Sequence, residues 1–565
     1  MIKRVLRNGS NFLTGRQTNI LSAAVVIMIM IALSGVLGLV RNRVLAHFFT
    51  PEILSVYFAA FRLPEVVFEV LVFGTLSSAF IPTFTSYCSK NQRSEAWYVA
   101  SVSLNFALLF FLILAIPIFI FARQLYQVLA PGFNPFQLDL VAKLTRVLLI
   151  VQGFFLFSYF LTGVLESLQR FLIPAISPLF YNLGIIFGAL FLSNKFGIIA
   201  PVIGAVIGSF FHFFIQLPLA IRLGFRPKAS LNYSHPGVRE IARLAAPRIF
   251  ELSFLEVGKS AELFLASLIS TGAYTYYTFA NSLQLLPIGL FGISLAKASL
   301  PSLSYRSARG DYEHFKSTFF SLFIEIAFFI VPCSVFLAVL RIPIIRLVFG
   351  AARFTWESTI QTGLTLSAFC LGLFAQSINY LLNRAFWALH DTKTSVKVSI
   401  ICILVNIILG AVFIICLHFS VWSLALAFSL AAIAQTSILF LILYRKLGRF
   451  QIRELSTPLV KITLASLMSG SLMFFLLKVF DRSVWDKRLS FLKYVGLVMP
   501  TSFDRFVLDT RYTGNLLVLT GLVGLIGVVA YLLLVWFLGV KEVALFTRVL
   551  TKIKGLKEPL IIDQG

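Results

Sequence analysis

Residues 104–122 read LNFALLFFLILAIPIFIFA, a run without one charged side chain. A helix of about 20 mainly apolar residues spans the hydrocarbon core of a bilayer, so this run predicts a transmembrane helix. Comparable runs recur from Ile20 to beyond Gly539. Their continuity favours helices over the short alternating strands of a membrane β-barrel.

The composition of the 565 residues indicates the same class of protein. Hydrophobic residues make up 59% of the chain and charged residues 13%, with a mean hydropathy of +0.91. Soluble domains carry about 25% charged residues. We therefore predict an all-α polytopic membrane protein of about 14 transmembrane helices. The predicted spans are 19–46, 52–82, 95–122, 138–166, 171–194, 198–222, 238–270, 273–304, 314–340, 356–388, 394–417, 420–445, 457–480 and 513–540.

The net charge of +25 could suggest a nucleic-acid-binding protein. However, the lysines and arginines lie mainly in short connections between apolar runs, as they do in cytoplasmic loops of membrane proteins. The chain has no separate basic domain to bind nucleic acid, so nucleic acid is not an expected partner. The five cysteines are scattered and predict neither disulfides nor a zinc site.

The positions of the basic residues also predict the orientation. An even number of spans places both termini on one side, and loops rich in Lys and Arg alternate with loops nearly free of charge. This pattern predicts that both termini are cytoplasmic. The polar segment 481–512 is an exception, but long segments cross membranes regardless of their charge. The basic segments are 90–93, 222–243, 306–309, 445–453 and 541–557.

The chain contains a weak internal repeat. Phe73 and Tyr87 are followed 218 positions later by Phe291 and Tyr305. We therefore predict two six-helix lobes, 1–235 and 236–455. A third region, 456–565, would hold two further helices, the polar loop 481–512 and a basic tail. Repeated lobes are typical of transporters that bind substrate between the repeats.

Charged residues inside the predicted spans are candidates for the site, because they are costly in lipid and usually face an interior cavity. Arg41 is the first; it could instead reach the membrane interface. Arg62, Glu65 and Glu69 share one face of the second span. They could line the cavity, or form an internal ion pair that holds the Pro64 kink.

The seventh span carries an unusual charged stripe, which must line water or pair internally. It could recognise a headgroup, including a cationic or zwitterionic one, or form a structural ion-pair ladder. A lysine on the eighth span could pair with this stripe or contact phosphate. The stripe consists of Arg248, Glu251, Lys259 and Glu262, with Glu256 beside it. The predicted substrate-binding residues are Arg248, Glu251 and Lys259 of the stripe and Lys297 of the eighth span.

An enzymatic function has little support in the sequence. The chain has no phosphate-binding loop, metal-ligand cluster or nucleophile elbow. A membrane glycosyltransferase or polymerase would need a catalytic loop outside the bilayer, and 481–512 is the only candidate. We therefore predict a transporter and no catalytic residues.

Several ordered motifs carry a family resemblance that extends to about residue 450. They are VLGLVR at 36–41, AFRLP at 60–64, APGF at 130–133, LPSLS at 300–304, RAFWA at 384–388 and DTKT at 391–394. They resemble the MurJ/MviN family, bacterial flippases of lipid II within the multidrug/oligosaccharidyl-lipid/polysaccharide exporter superfamily.

This resemblance implies fourteen helices in a V-shaped pair of lobes, a central cationic cavity for the pyrophosphate and sugar headgroup, and a groove for the polyprenyl tail beside the last two helices. The implied activity is outward translocation of the undecaprenyl-pyrophosphate-linked peptidoglycan precursor across the bacterial cytoplasmic membrane by alternating access. The expected partners are this lipid-linked precursor, the membrane lipids and the cell-wall synthesis machinery.

The chain departs from the family at several cavity positions. The resemblance implies cavity roles for Arg41 and Arg62, but uncharged residues stand where the family has three further arginines and an aspartate. Two alternatives therefore stay open, a flippase for another polyprenyl-linked glycan and a non-transporting membrane scaffold. The departing residues are Gly35, Phe68 and Ser282 for the arginines and Ser55 for the aspartate.

The resemblance also implies a possible sodium site. Family members can hold a sodium ion between the seventh, eleventh and twelfth helices, and Glu262 and Asn406 match two of those positions. Gly410 stands where a carboxylate is common. No other cofactor is expected, and the membrane potential acting on cavity charges is the alternative driver.

Overall fold

The computed structural model describes residues 20–70, 79–448, 452–481 and 507–542. Regular structure in these ranges is helical, apart from an isolated bridge between Asp481 and Leu508. The helices are α1 (Ile20–Phe48), α2 (Pro51–Phe68), α3 (Ile81–Ser89), α4 (Arg93–Leu129), α5 (Pro135–Ser167), α6 (Leu172–Phe187), α7 (Ile199–Phe214), α8 (Leu217–Arg222), α9 (Pro236–Ile269), α10 (Ala273–Pro287), α11 (Ser294–Ala308), α12 (Tyr312–Val339), α13 (Arg341–Val348), α14 (Trp356–Ala388), α15 (Thr392–Ala411), α16 (Trp422–Lys446), α17 (Ile452–Phe480) and α18 (Thr513–Phe537). Turns of π-helix follow α6, α10 and α15 at Gly188–Leu192, Ile288–Ile293 and Val412–Cys416. A one-turn α-helix, Ser193–Phe196, lies between the first of these turns and α7.

The all-α membrane fold is confirmed. Within the described ranges, eleven helical segments are long and apolar enough to cross a membrane. Each coincides with a predicted span to within a few residues at most ends. The number fourteen stays a prediction, because α1, α2 and α9 are helical where the other three spans were predicted but are not among these eleven. In α2 and α9, charged residues interrupt the apolar sequence. Most of the predicted loop 481–512 and of the basic tail lies outside the described residues.

The helices pack into two compact units. The first takes the chain up to Ser282 together with Val348–Gln361 and Ile403–Leu424. The second takes Leu283–Leu347, Thr362–Cys402 and the chain from Ala425 onward. These units are defined by packing and not by internal symmetry, so the division into repeats at 1–235, 236–455 and 456–565 stays a prediction.

Glycines set the packing of α6 against α7 in the first unit. A Cβ atom added to Gly204 would lie 2.2 Å from the carbonyl oxygen of Gly184, and one added to Gly188 would lie 2.4 Å from that of Ala200. The two backbones are therefore in direct contact. Small residues four positions apart allow such approach in membranes, where dispersion and close packing drive helix association.

In the second unit, phenylalanine side chains of α12 form much of the core. Phe315, Phe319 and Phe328 are almost fully buried. The hydroxyl of Tyr531 on α18 donates a hydrogen bond of 2.7 Å to the carbonyl oxygen of Phe328. This bond satisfies a polar group inside an apolar core, where leaving it unpaired would be costly. It ties the last described helix to α12.

Candidate functional site

The charged residues of α2 face α9 within the first unit. Arg62 is 4% exposed, and its Nη2 donates to a carboxylate oxygen of Glu256 on α9. Its Nη1 lies 3.8 Å from Oε2 of Glu65, one turn further along α2. An arginine this deeply buried needs a counter-charge, and Glu256 supplies it.

The contacts continue beyond this pair. Lys259 Nζ donates to Oε1 of Glu256 at 2.7 Å and to Oε2 of Glu69 at 2.8 Å. These contacts form one ion-pair network in which cations and carboxylates alternate, from Arg62 through Glu256 and Lys259 to Glu69. Glu65 lies beside it as a further carboxylate near Arg62. Burial decreases along the network, because the Glu256 side chain is 2% exposed whereas those of Lys259 and Glu69 are 43% and 30% exposed.

This network bears on the two interpretations of the charged helix faces. Glu256 links Arg62 to Lys259, and Lys259 contacts Glu69, as in a structural ion-pair ladder with Glu65 beside it. A role for these residues in binding substrate stays a prediction. Glu256, which the sequence placed beside the stripe, is the central carboxylate. Its spacing of three residues from Lys259 was the signal that could have found it.

Arg41 on α1 has different surroundings. Its Nη1 donates to Oδ1 of Asn182 on α6 at 3.1 Å, and its Nε and Nη2 both donate to Oδ1 of Asn42 at 3.1 Å. Asn182 is held in turn by the hydroxyl of Ser34. These partners are neutral, and no described carboxylate lies within ion-pair distance of Arg41. The guanidinium is therefore oriented without being neutralised.

The positions of three further predicted site residues are as follows. The side chains of Arg248 and Glu251 lie outside the described residues, although the backbone of α9 is helical there. Lys297 is an exposed residue of α11 in the second unit. Their roles stay predictions.

The two residues predicted to hold sodium do lie together. The side chain of Glu262 is hydrogen-bonded to Asn406 and to Tyr277. At Gly410, however, the atoms nearest to an added Cβ are methyl groups of Leu265 and Leu424, at 3.0 and 3.4 Å. A hard cation takes several oxygen ligands. The carboxylate, amide and phenol fall short of that set, and their hydrogen bonds already satisfy one another, so the group fits sodium poorly.

Two of the positions that depart from the family have ordinary structural roles. The hydroxyl of Ser55 is buried and lies 2.9 Å from that of Thr275. Phe68 packs against the rings of Phe155 and Tyr159, with centroid distances of 5.9 and 5.2 Å. Neither position supplies a charge, so Arg41 is the uncompensated cation among those predicted site residues of the first unit whose side chains the structure describes.

The described residues define a polytopic helical membrane protein with charged side chains gathered inside one packed unit. The fold resembles an inward-facing multidrug resistance MATE family transporter of the MOP superfamily, with a TM-score of 0.63 and 15% identity over 75% of this chain and 97% of that one.

A closer match specifies the family. Residues 44–496 match the family described as lipid II flippase MurJ, and the chain belongs to that family. A solved structure of lipid II flippase MurJ in an inward closed conformation matches with a TM-score of 0.73 and 25% identity, over 93% of this chain and all of that one. Probable lipid II flippases MurJ from Buchnera aphidicola and Vibrio cholerae are 28% and 26% identical, over 85% and 92% of this chain and 95% and 97% of their own length.

Proposed function

We propose that this chain is a flippase that translocates the undecaprenyl-pyrophosphate-linked peptidoglycan precursor, lipid II, across the bacterial cytoplasmic membrane. The family match over residues 44–496 carries this proposal. Its extent matters, because it includes α2 and α9 with their ion-pair network and continues through α17. The activity needs no covalent chemistry, so the chain requires binding groups and not catalytic ones.

Arg41 is the proposed anchor for the pyrophosphate. A guanidinium stays charged and donates two parallel hydrogen bonds to a phosphate group. Asn42 and Asn182 fix its orientation at 3.1 Å without neutralising it. A pyrophosphate could therefore bind the oriented guanidinium of Arg41 without displacing a described carboxylate.

The ion-pair network is the proposed second contact. Lys259 is its most exposed cation and shares its charge between Glu69 and Glu256. A phosphate that displaces Glu69 would form an ion pair with Lys259. Glu256 would still neutralise Arg62. The buried part of the network would then stay intact through the transport cycle.

The orientation and the driving force are also proposals. The alternating basic loops support cytoplasmic N and C termini. The incomplete set of oxygen ligands around Glu262 favours the membrane potential over sodium as the driver, because a charged headgroup moving across the membrane gains energy from that potential. The enzymes that make and polymerise the precursor are the proposed protein partners.

Rescue of a bacterium depleted of its own lipid II flippase tests the proposal. We expect the wild-type chain to restore growth and the Arg41→Ala variant to fail. Arg41→Lys should restore growth in part, because lysine keeps the charge but lacks the two parallel N–H donors of the guanidinium. Arg123→Gln is the matched control, because Arg123 is already paired with Asp139 at 2.6 Å. If the wild type fails to rescue at normal membrane abundance, the proposed substrate is wrong.

A second candidate substrate is another polyprenyl-linked glycan. The neutral residues Gly35, Phe68 and Ser282, which stand where the family has arginines, favour it. A headgroup with less negative charge would need fewer cations. Rescue of a strain defective in surface-polysaccharide export, without rescue of peptidoglycan synthesis, would support this candidate. Rescue of neither would leave a membrane scaffold.

A further inference from the structure

A groove on the first unit lies between α4 and α5, away from the charged residues described above. It is open on one side and has a volume of about 410 Å³. Its walls are apolar side chains of both helices, and one cation, Arg146, completes the lining. The principal wall residues are Phe111, Ile116, Phe119, Ile150 and Phe154. We call it the α4–α5 groove.

Two local features of the sequence open this groove. Pro117 lies inside α4, and the backbone at Phe121 leaves helical geometry, with φ −98° and ψ 18°. A proline inside a helix removes a hydrogen bond and bends the helix. On the facing helix, Gly153 has no side chain, and an added Cβ would meet only a ring atom of Phe111, at 3.9 Å. The groove therefore has room at its centre.

The bend in α4 also positions Arg146. Its Nε donates a hydrogen bond of 2.9 Å to the carbonyl oxygen of Phe119, just before the bend. Its guanidinium carbon lies 5.7 Å from the centroid of the Phe119 ring. The guanidinium is thus held over the apolar wall by one backbone carbonyl and one aromatic face.

Most of the hydrogen-bonding capacity of Arg146 is left unused. An arginine has five N–H donors, and no carboxylate in the described part of the chain pairs with Arg146. Arg123, on the same pair of helices, does have one, because its Nε lies 2.6 Å from Oδ1 of Asp139. A cation beside lipid is costly unless an anion or water reaches it. The described part of the chain thus supplies no anionic partner for Arg146, and we expect that partner to come from outside the protein.

We propose that the α4–α5 groove binds one anionic phospholipid of the membrane, with an acyl chain between α4 and α5 and the phosphate on the Nη atoms of Arg146. The apolar walls and the single cation at one site match the two parts of such a lipid. A free phosphate would leave the apolar walls unexplained. An uncharged lipid would leave Arg146 without a counter-charge. The site is separate from the substrate site proposed above and does not depend on it.

Native mass spectrometry of the purified protein, reconstituted with equal amounts of phosphatidylglycerol and phosphatidylcholine, tests this inference. We expect wild type to retain phosphatidylglycerol preferentially, and Arg146→Gln to lower that preference about tenfold through loss of a charge-assisted contact. Gly153→Leu should fill the groove and remove the retained lipid of both kinds. Arg123→Gln is the matched control and should behave as wild type.

A photoreactive acyl chain locates the bound lipid directly. We expect phosphatidylglycerol with a diazirine in its acyl chain to label peptides of α4 and α5 in wild type and to lose that labelling in Gly153→Leu. Thermal unfolding without added lipid shows whether each variant is folded. An unchanged preference in folded Arg146→Gln overturns the headgroup assignment. Unchanged labelling in folded Gly153→Leu, or labelling only outside α4 and α5, overturns the groove.

Discussion

Replacing Glu256 with glutamine tests the ion-pair network most sharply. The carboxylate of Glu256 contacts Arg62 through one oxygen and Lys259 through the other. The neutral amide has nearly the same shape, so the substitution removes charge with little change in packing. Arg62 would then keep only Glu65, at 3.8 Å, and Lys259 would keep only Glu69.

The expected size of the effect follows from burial. Removing one partner of a buried ion pair costs about 3–5 kcal/mol, because the remaining charge is left uncompensated. Glu65 still lies near Arg62, which favours the lower end, about 3 kcal/mol. Glu69→Gln is the matched control. Glu69 and Lys259 are partly exposed and Lys259 keeps Glu256, so that change should cost about 1 kcal/mol or less.

Thermal unfolding of the purified protein in detergent at neutral pH measures the order of these effects. We expect Glu256→Gln to lower the melting temperature clearly more than Glu69→Gln. The double variant Arg62→Gln with Glu256→Gln should regain much of the loss, because it removes the uncompensated charge as well. If Glu256→Gln is no worse than Glu69→Gln, or if the double variant shows the sum of the separate losses, the network does not stabilise the fold as argued.

Three further outcomes are expected. Gly204→Val should lower the stability by about 3 kcal/mol, because the new side chain collides with the facing backbone. Gly521→Val should lower it far less, because no atom lies within 4 Å of a Cβ added there. Equal melting temperatures of the two variants would contradict this. Hydrogen bonds from Lys446 and Thr394 hold the pKa of Asp391 below its ordinary value, so its contribution is present at neutral pH and lost as the pH falls through that lowered pKa. Asp391→Asn should therefore lower stability by about 1 kcal/mol or less at pH 7, with the difference from wild type shrinking below about pH 4 in a series of unfolding curves; a difference that persists there would refute it. Flux of labelled lipid II in vesicles should be unchanged when potassium replaces sodium, and it should slow when the membrane potential is collapsed. A requirement for sodium would instead support a sodium site.

Much of the fold was predictable because hydropathy acts locally. The predicted span 356–388 coincides with α14, and 513–540 extends only three residues beyond α18. A run of apolar residues long enough to cross a bilayer has few other stable structures. The same reasoning predicted spans at α2 and α9, where charges interrupt the apolar pattern and composition alone does not identify a membrane helix.

The candidate site was predictable only in its residue types. Helix periodicity placed Arg62, Glu65 and Glu69 on one face, but it could not show that Glu256 neutralises Arg62. The support of Arg41 by Asn182 was equally hidden, because it joins residues 141 positions apart. Such pairings depend on how helices pack, which a single sequence does not reveal.

The pairing of Arg62 with Glu256 also bears on how the protein is made. These residues are 194 positions apart, and synthesis at about 5–20 residues per second separates them by roughly 10–40 s. During that interval α2 carries an arginine whose nearer counter-charge, Glu256, has not been synthesised, and Glu65 on α2 is the partner already made. The nascent chain must therefore keep Arg62 near water or within the insertion machinery until α9 arrives. This part of the first unit is thus complete only after α9 is made, and α2 lacks its main partner if synthesis stops early.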